Sequence, residues 1–273
     1  MEIYGESYRG LCNGIYSFLS ALGLSWPQPG EEILPPRPDN SPAFPLSKKS
    51  AYEPSHYEGN DMAEAPLRRF IPAPGKTVNK LNKYIKKPEA FAAWAARQRY
   101  DALVFPLALY ASSANKKIQI LKAHAADYGI NLEAGGRELS SLLPRKYFFL
   151  HRDLFRLEDG RRKMKYLFCP TNPAAVRIVR ERAKKLFRSA AEINLFHLWP
   201  ERGAEKAWCS CPSCRAFSQA ELNRIAVNAA ADGLAEINPR GKLSFFEESG
   251  QEGNVPLRKN LHKLESLPGE TIL

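Results

Sequence analysis

The chain is 273 residues long, with 44% hydrophobic and 25% charged residues. These are ordinary values for a soluble globular protein and leave ample apolar material for a core, which excludes a mainly disordered chain. Forty Lys and Arg against 29 Asp and Glu give a net charge of +11, a balance that points first to polyanions such as nucleic acid.

No apolar run approaches the ~18 residues of a membrane span, so no membrane partner is expected. The opening MEIYGESYRG lacks a basic-then-apolar signal pattern, so a cytoplasmic location is expected for the chain as written. Residues 9–26 read as a helix with Ile15, Tyr16, Phe18, Leu19 and Leu22 on one face and Gly23 as its stop. Seven prolines fall within 27–45, where neither a helix nor a central strand can run through. Residues 27–66 therefore read as a linker between two units.

A different rhythm begins after 67. PEAFAAWAARQRY reads as a helix, DALVFPL as a short strand, KKIQILKAHAADYG as a helix and INLEAGG as a strand ending in a Gly-Gly turn. NPAAVRIVRERAKKLFRS is a helix with Pro173 in its first turn, and INLFHLW is a strand. SQAELNRIAVNAAADGLAEI is a long helix with Ser218 and Glu221 spaced as a capping box, and GKLSFFEE is a strand. Helix–strand alternation with short links implies a parallel sheet, either doubly wound or in a (β/α) barrel. Polar residues cluster at strand C-terminal ends: Glu133 and Arg137, His197 and Glu201, Glu247 and Glu248. No glycine-rich phosphate loop opens a helix, so no nucleotide or other organic cofactor is expected. This distribution favours the barrel.

The charge is uneven. Residues 1–67 carry nine acids against four Lys/Arg, whereas 145–188 carry fourteen Lys/Arg and four acids. In VRIVRERAKKLFR the cations alternate with Val176, Ile178, Val179, Ala183, Leu186 and Phe187, the pattern of an amphipathic helix with a solvated basic face. No nucleic-acid motif accompanies the charge, which makes that partner the weakest of the readings.

Five cysteines are present, and Cys209, Cys211 and Cys214 form a C-x-C-x-x-C run. An odd, clustered set does not read as a secreted disulfide framework. Three soft sulfurs in one loop suit structural Zn²⁺, with Cys169 of LFCPTNP as the candidate fourth ligand. Reduced thiols packing a buried loop are the alternative. In INLFHLWPER, Trp199 is a candidate for stacking on a sugar ring and Glu201 for acid–base work. Rim packing for Trp199 and a satisfied core histidine for His197 are the bland alternatives. Glycosidic hydrolysis needs paired carboxylates, and Glu133, Glu201 and Glu247 are the candidates. Glu248 is expected to point away from Glu247, because faces alternate along a strand.

RGLCNGIYSFLSALGLSWPQPGEE resembles the end of the small α/β domain that precedes the barrel in family-67 α-glucuronidases. INLEAGGRELSSLLP, YFFLHRDLF, LFCPTNPAAV, FHLWPERG and WCSCPSCRAFS together resemble the barrel of the bacterial "domain of unknown function 4838" proteins. Those look like (β/α)8 glycoside hydrolases distantly similar to family-20 hexosaminidases. The resemblance covers roughly residues 8–38 and 90–250, and it implies carbohydrate chemistry. Two departures stand out: Arg137 replaces a histidine of the family pattern, and Arg202 replaces an acid beside Glu201. An adjacent Arg lowers a carboxyl's pKa, the wrong direction for a general acid.

The expectation is thus an α/β protein, a partial (β/α) TIM-type barrel preceded by a remnant of a small α/β domain. Its parts are 1–38 (remnant), 39–66 (Pro-rich linker), 67–250 (partial barrel) and 251–273 (irregular tail). An eight-unit barrel takes ~250 residues, so the chain reads as a fragment of a larger product. The expected function is a glycoside-hydrolase-like protein of weak or absent activity. Glu201 and Glu247 are the candidate catalytic carboxylates. Glu133, Arg137, His197, Trp199, Arg202 and Trp208 are the candidate substrate-binding residues, the arginines suiting a uronate. The alternative is a non-catalytic, zinc-stabilised module for carbohydrate or another polyanion.

Overall fold

Short apolar strands alternating with capped helices give a parallel α/β sheet in the computed structural model, which describes residues 7–35, 69–70, 87–112, 115–165, 167–200, 207–247 and 254–264. In chain order come α1 (Tyr8–Ala21), β1 (Arg69–Phe70), α2 (Pro88–Arg97), β2 (Ala102–Phe105), α3 (Leu107–Tyr110), α4 (Asn115–Asp127) and β3 (Asn131–Gly136). A hairpin of β4 (Leu157–Glu158) and β5 (Arg161–Arg162) follows. The chain continues through α5 (Pro173–Arg188), β6 (Leu195–Leu198), α6 (Gln219–Ile237), β7 (Lys242–Phe246) and β8 (Leu261–Leu264).

The sheet order is β1-β2-β3-β6-β7-β8, and every neighbouring pair is parallel. Spatial order follows chain order without reversal among the described strands, unlike a doubly wound sheet, which reverses at its switch point. Two elements depart from expectation. Leu261–Leu264, within the segment expected to be irregular, pairs along β7 from Leu243↔Leu261 to Phe246↔Leu264. The β4–β5 hairpin was not foreseen; its tight turn sets Asp159 and Gly160 at φ 49° and 71°, the left-handed geometry of a two-residue hairpin.

Local chemistry sets the helix starts. The Asn172 side chain accepts from Ala174 N–H and Ala175 N–H, with Pro173 in the first turn of α5. At α6, Ser218 Oγ accepts from Glu221 N–H while Glu221 accepts from Ser218 N–H, closing the capping box. Helix α1 is shorter than the 9–26 expected. Tyr16 and Leu19 pack on the core, but Ile15, expected on the same face, is exposed. The segment 8–35 docks on α2: Trp94 Nε1–H and Gln98 Nε2–H both donate to Trp26 O, and Arg9 donates to Tyr100 O.

Strand alternation divides the sheet into two faces. Phe70, Leu103, Phe105, Ala134, Phe196, Leu198, Leu243 and Phe245 pack under the helices. Phe70 is the hub there, edge-on to Phe91, Trp94 and Tyr100 at 5.5–5.8 Å. Val104 and Trp199 form a second small cluster with Phe246 and Leu264 on the other face. Gly135 lets β3 meet β6: its φ is +116°, and a Cβ there would lie 2.0 Å from His197 O. Gly233 does the same between helices, where a Cβ would lie 2.8 Å from Arg180 O.

Candidate metal centre and polar strand face

The loop 207–216 and the run before α5 bring Cys169, Cys209, Cys211 and Cys214 together, all buried, with their sulfurs within 4.8 Å of one another. Cys169 Sγ lies 3.7 Å from both Cys211 Sγ and Cys214 Sγ. A tetrahedron with metal–sulfur bonds of ~2.3 Å has edges of about 3.8 Å, so this spacing fits one metal ion and is too long for a disulfide. All five cysteines, Cys12 included, are free.

The surroundings are built to hold thiolates. Leu157 N–H donates to Cys209 Sγ at 3.2 Å, and Thr171 Oγ1 lies 3.0 Å from Cys214 Sγ. Arg162 Nη1 sits 3.8 Å from Cys209 Sγ. The hairpin is pinned to the cluster by Ser210, whose N–H and Oγ–H both donate to Leu157 O. Buried Arg156 ties the same region together through Lys165 O, Ala207 O and Glu158. Four thiols this close do not titrate independently: hydrogen bonding from Cys209 and Cys214 holds Cys169 far down, and Cys169 pushes Cys214 far up. Four buried cysteines are therefore placed to hold a metal ion, as the C-x-C-x-x-C run and the choice of Cys169 led one to expect.

The second constellation lies on the face away from the helices. In register, Gly135 on β3, His197 on β6 and Ser244 on β7 face one another across three strands. His197 Nε2 is 2.8 Å from Glu133 Oε2, and His197 Nδ1 is 2.6 Å from Ser244 Oγ. Trp199 Nε1–H donates to Ser244 Oγ at 3.1 Å, and Arg69 Nε–H donates to Glu133 Oε2 at 2.7 Å. One proton arrangement satisfies every bond: Ser244 Oγ–H donates to Nδ1, and Nε2–H donates to the ionised carboxylate.

Burial alone would raise the Glu133 carboxyl, but His197 and Arg69 outweigh it and hold it below the usual range. Burial holds the His197 imidazole below its ordinary value despite the adjacent carboxylate. Neutral His197 beside ionised Glu133 is the state both directions favour.

The remaining candidates fall as follows. Glu247 lies on the helical side of the sheet, not on the Glu133 face: alternation puts it in phase with Leu243 and Phe245. Its oxygens accept from Arg224 Nε and Nη2 at 2.7 and 2.9 Å, and Lys263 Nζ adds a contact at 3.1 Å. Burial would raise this carboxyl too, yet Arg224 and Lys263 bring it below its ordinary value. Trp199 and Trp208, candidates for substrate binding, are both buried, at 1% and 7% exposure. Trp199 is fixed by its bond to Ser244, and Trp208 belongs to the main core beside the cysteines. Arg137 is half-buried and donates to Pro200 O at 3.2 Å. Glu201, Arg202 and Glu248 lie outside the described residues. On the basic helix, Arg180 and Lys184 pair with Glu236 of α6, so two of its cations serve helix packing.

Sequence reasoning missed Arg69, Ser244, Arg224 and Lys263. Arg69 and Lys263 sit in short outer strands, and Ser244 lies inside an apolar run. Only the register across strands shows what they touch.

Fold and site together define a parallel βα protein with a four-cysteine centre. No protein-family model matches this chain, and no curated protein matches it. Among solved structures, β-galactosidase from Bacillus circulans sp. alkalophilus superposes with a TM-score of 0.39 at 10% identity, over 66% of this chain and 36% of that one. The chain thus spans about a third of the length of that structure.

Proposed function

We propose that this is a zinc-stapled, glycoside-hydrolase-like (β/α) protein, its described strands forming an arc of a barrel, that binds a carbohydrate at its strand ends without efficient hydrolysis. The resemblance to the domain of unknown function 4838 proteins supports the class. Chain-ordered parallel strands are the arrangement a (β/α) barrel uses. The sulfur spacing supports zinc, held by Cys169, Cys209, Cys211 and Cys214 as a closed structural site. Zinc would supply folding stability there.

The observation that carries the non-catalytic reading is the ion pairing of the described carboxylates. A general acid needs a raised pKa, and a nucleophile must be open to the sugar, whereas Glu133 and Glu247 are buried. Glu133 is committed to Arg69 and His197, and Glu247 to Arg224 and Lys263; both are held low. Arg137 and Arg202 would then bind an anionic group such as a uronate. Calorimetry with uronate-containing oligosaccharides, run beside turnover assays on aryl glycosides and glucuronides, tests this. Saturable binding without turnover is expected. Turnover abolished by Glu201→Gln would establish the catalytic reading instead.

A further inference from the structure

Between β3 and α5 the chain makes a long excursion, from Arg137 to Asn172, far beyond an ordinary βα link and of the length at which loops carry function. It holds three 3-10 turns, Leu139–Leu142, Arg145–Phe149 and Arg152–Leu154, and the β4–β5 hairpin. The run RKYFFLHR within it divides its apolar residues sharply. Phe148 turns inward and meets Phe155 edge-on at 5.2 Å. Phe149 and Leu150 turn outward and are 76% and 82% exposed. Backbone bonds from Leu150 N–H and His151 N–H to Tyr147 O hold that geometry.

Cations are dense along the same excursion. Arg145, Lys146, Arg152, Arg161 and Lys165 are exposed, and residues 145–165 carry eight Lys/Arg against three acids. The acids are Asp153, Glu158 and Asp159; Glu158 is paired with buried Arg156, and Asp153 accepts from Asn172. Arg152 lies over the Phe148 ring at 5.5 Å and Lys146 over Tyr147 at 5.8 Å, so both charges are held on the rings that directly precede Phe149 and Leu150 in the chain.

We propose that this excursion is a peripheral docking surface for an anionic lipid bilayer, with Phe149 and Leu150 entering the headgroup–acyl boundary and the cations contacting lipid phosphates. A bilayer satisfies both halves of the feature, an apolar phase for the adjacent side chains and negative charge for the rim. A soluble polyanion satisfies only the second and leaves Leu150 in water. The proposal departs from the expectation of no membrane partner. That expectation rested on the lack of a spanning segment, which bears on crossing a bilayer and not on lying against one.

The test is sedimentation of the full chain with vesicles of phosphatidylcholine alone or with about one-third phosphatidylserine. Binding to the anionic vesicles is expected, weakened by salt and about tenfold poorer on phosphatidylcholine alone. Phe149→Ser with Leu150→Ser should cut it about tenfold at an unchanged melting temperature, since both side chains already face water. Lys146→Glu with Arg152→Glu should reduce both the binding and its salt sensitivity. As a second readout, Phe149→Trp should be quenched by brominated acyl chains in anionic vesicles. Failure to sediment with anionic vesicles overturns the proposal. So does salt-sensitive binding that the double serine variant retains, which would assign the surface to a soluble polyanion such as a uronate polymer or nucleic acid.

Discussion

His197 and Glu133, on neighbouring strands, share a hydrogen bond of 2.8 Å between Nε2 and Oε2 inside a buried chain that runs from Arg69 to Ser244. The bond joins β3 to β6 by side chains where Gly135 already brings the two backbones together. Removing the carboxylate strands Arg69 and leaves a buried imidazole N–H without its acceptor. Glu133→Ala is expected to cost about 3 kcal/mol, the scale for breaking a buried charged pair. Urea unfolding measures it; a loss under about 0.5 kcal/mol would mean that water or another group replaces the carboxylate without penalty.

The same network sets a pH dependence. Burial depresses the His197 pKa from its ordinary 6.5, so the unfolded chain takes up a proton that the folded chain resists. Stability contributed by neutral His197 is complete above about 6.5 and falls as pH drops below it. Glu133 and Glu247 are held below their ordinary 4.5; their contribution is complete above that value and is lost as pH falls through the folded values. All three effects have one sign, so acid lowers the melting temperature in two stages, first below about 6.5 and then below about 4.5. His197→Asn, which keeps an acceptor near Ser244 and removes the titration, should flatten the first stage. A wild-type melting temperature independent of pH between 7 and 5 would refute this assignment.

At the cysteine centre, purified protein should contain zinc at 1:1, and Cys211→Ser should lose it. The metal would join the run before α5 to the loop before α6, to which the hairpin is hydrogen-bonded through Leu157, so its removal is expected to cost several kcal/mol and to expose the Leu157–Ser210 contact first. Metal content, melting with and without chelator, and hydrogen exchange at Leu157 and Ser210 follow this. Metal-free protein with four reactive thiols and an unchanged melt would leave the cluster as packing alone.

What the sequence could tell, and what it could not, divides along physical lines. C-x-C-x-x-C is a local signal. Cys169 could be paired with it because both loops precede helices of successive βα units. Strand and helix positions followed from capping residues and from apolar runs of different length. The phase of LSFFEE was not legible: both faces of a parallel sheet are apolar, so no polar alternation says which residues face the helices. The side to which Glu247 points, toward Arg224 of α6, was consequently not legible either. The burial of Trp199 and Trp208 was illegible for a related reason, since an indole inside an apolar run reads alike whether it lines a cleft or fills a core. β8, four residues long and half polar, carries almost no local signal and is recognised only through its ladder to β7.

Gly135→Ala tests the contact between the two central strands. The added methyl would fall 2.0 Å from His197 O, a backbone atom that no rotamer change can move, in a conformation that already disfavours a side chain. β3 and β6 would have to separate, which breaks the His197–Glu133 bond as well. Loss of soluble folded protein, or destabilisation of at least about 3 kcal/mol, is expected. Gly136→Ala is the control. It shares the positive φ, but nothing lies within 4 Å of its added Cβ, so it should cost only the backbone strain, about 1–2 kcal/mol. Equal effects of the two would mean that backbone conformation, not the approach of β6, decides the position.

Glu247 offers the cleanest separation of stability from ligand binding. Its carboxylate is buried and bound on both oxygens by Arg224, with Lys263 alongside. Glu247→Gln preserves shape but removes the charge that neutralises Arg224, a side chain only 13% exposed. About 2–3 kcal/mol of stability should be lost. Arg224→Met should lose a similar amount, because it leaves the carboxylate short of its partner. The double variant should lose less than the sum, since neither charge is then stranded. Sugar affinity measured on the still-folded Gln variant should match wild type, because the side chain faces α6 and not the Glu133 face. A Gln variant that melts like wild type but loses ligand binding or turnover would place Glu247 in the carbohydrate site after all.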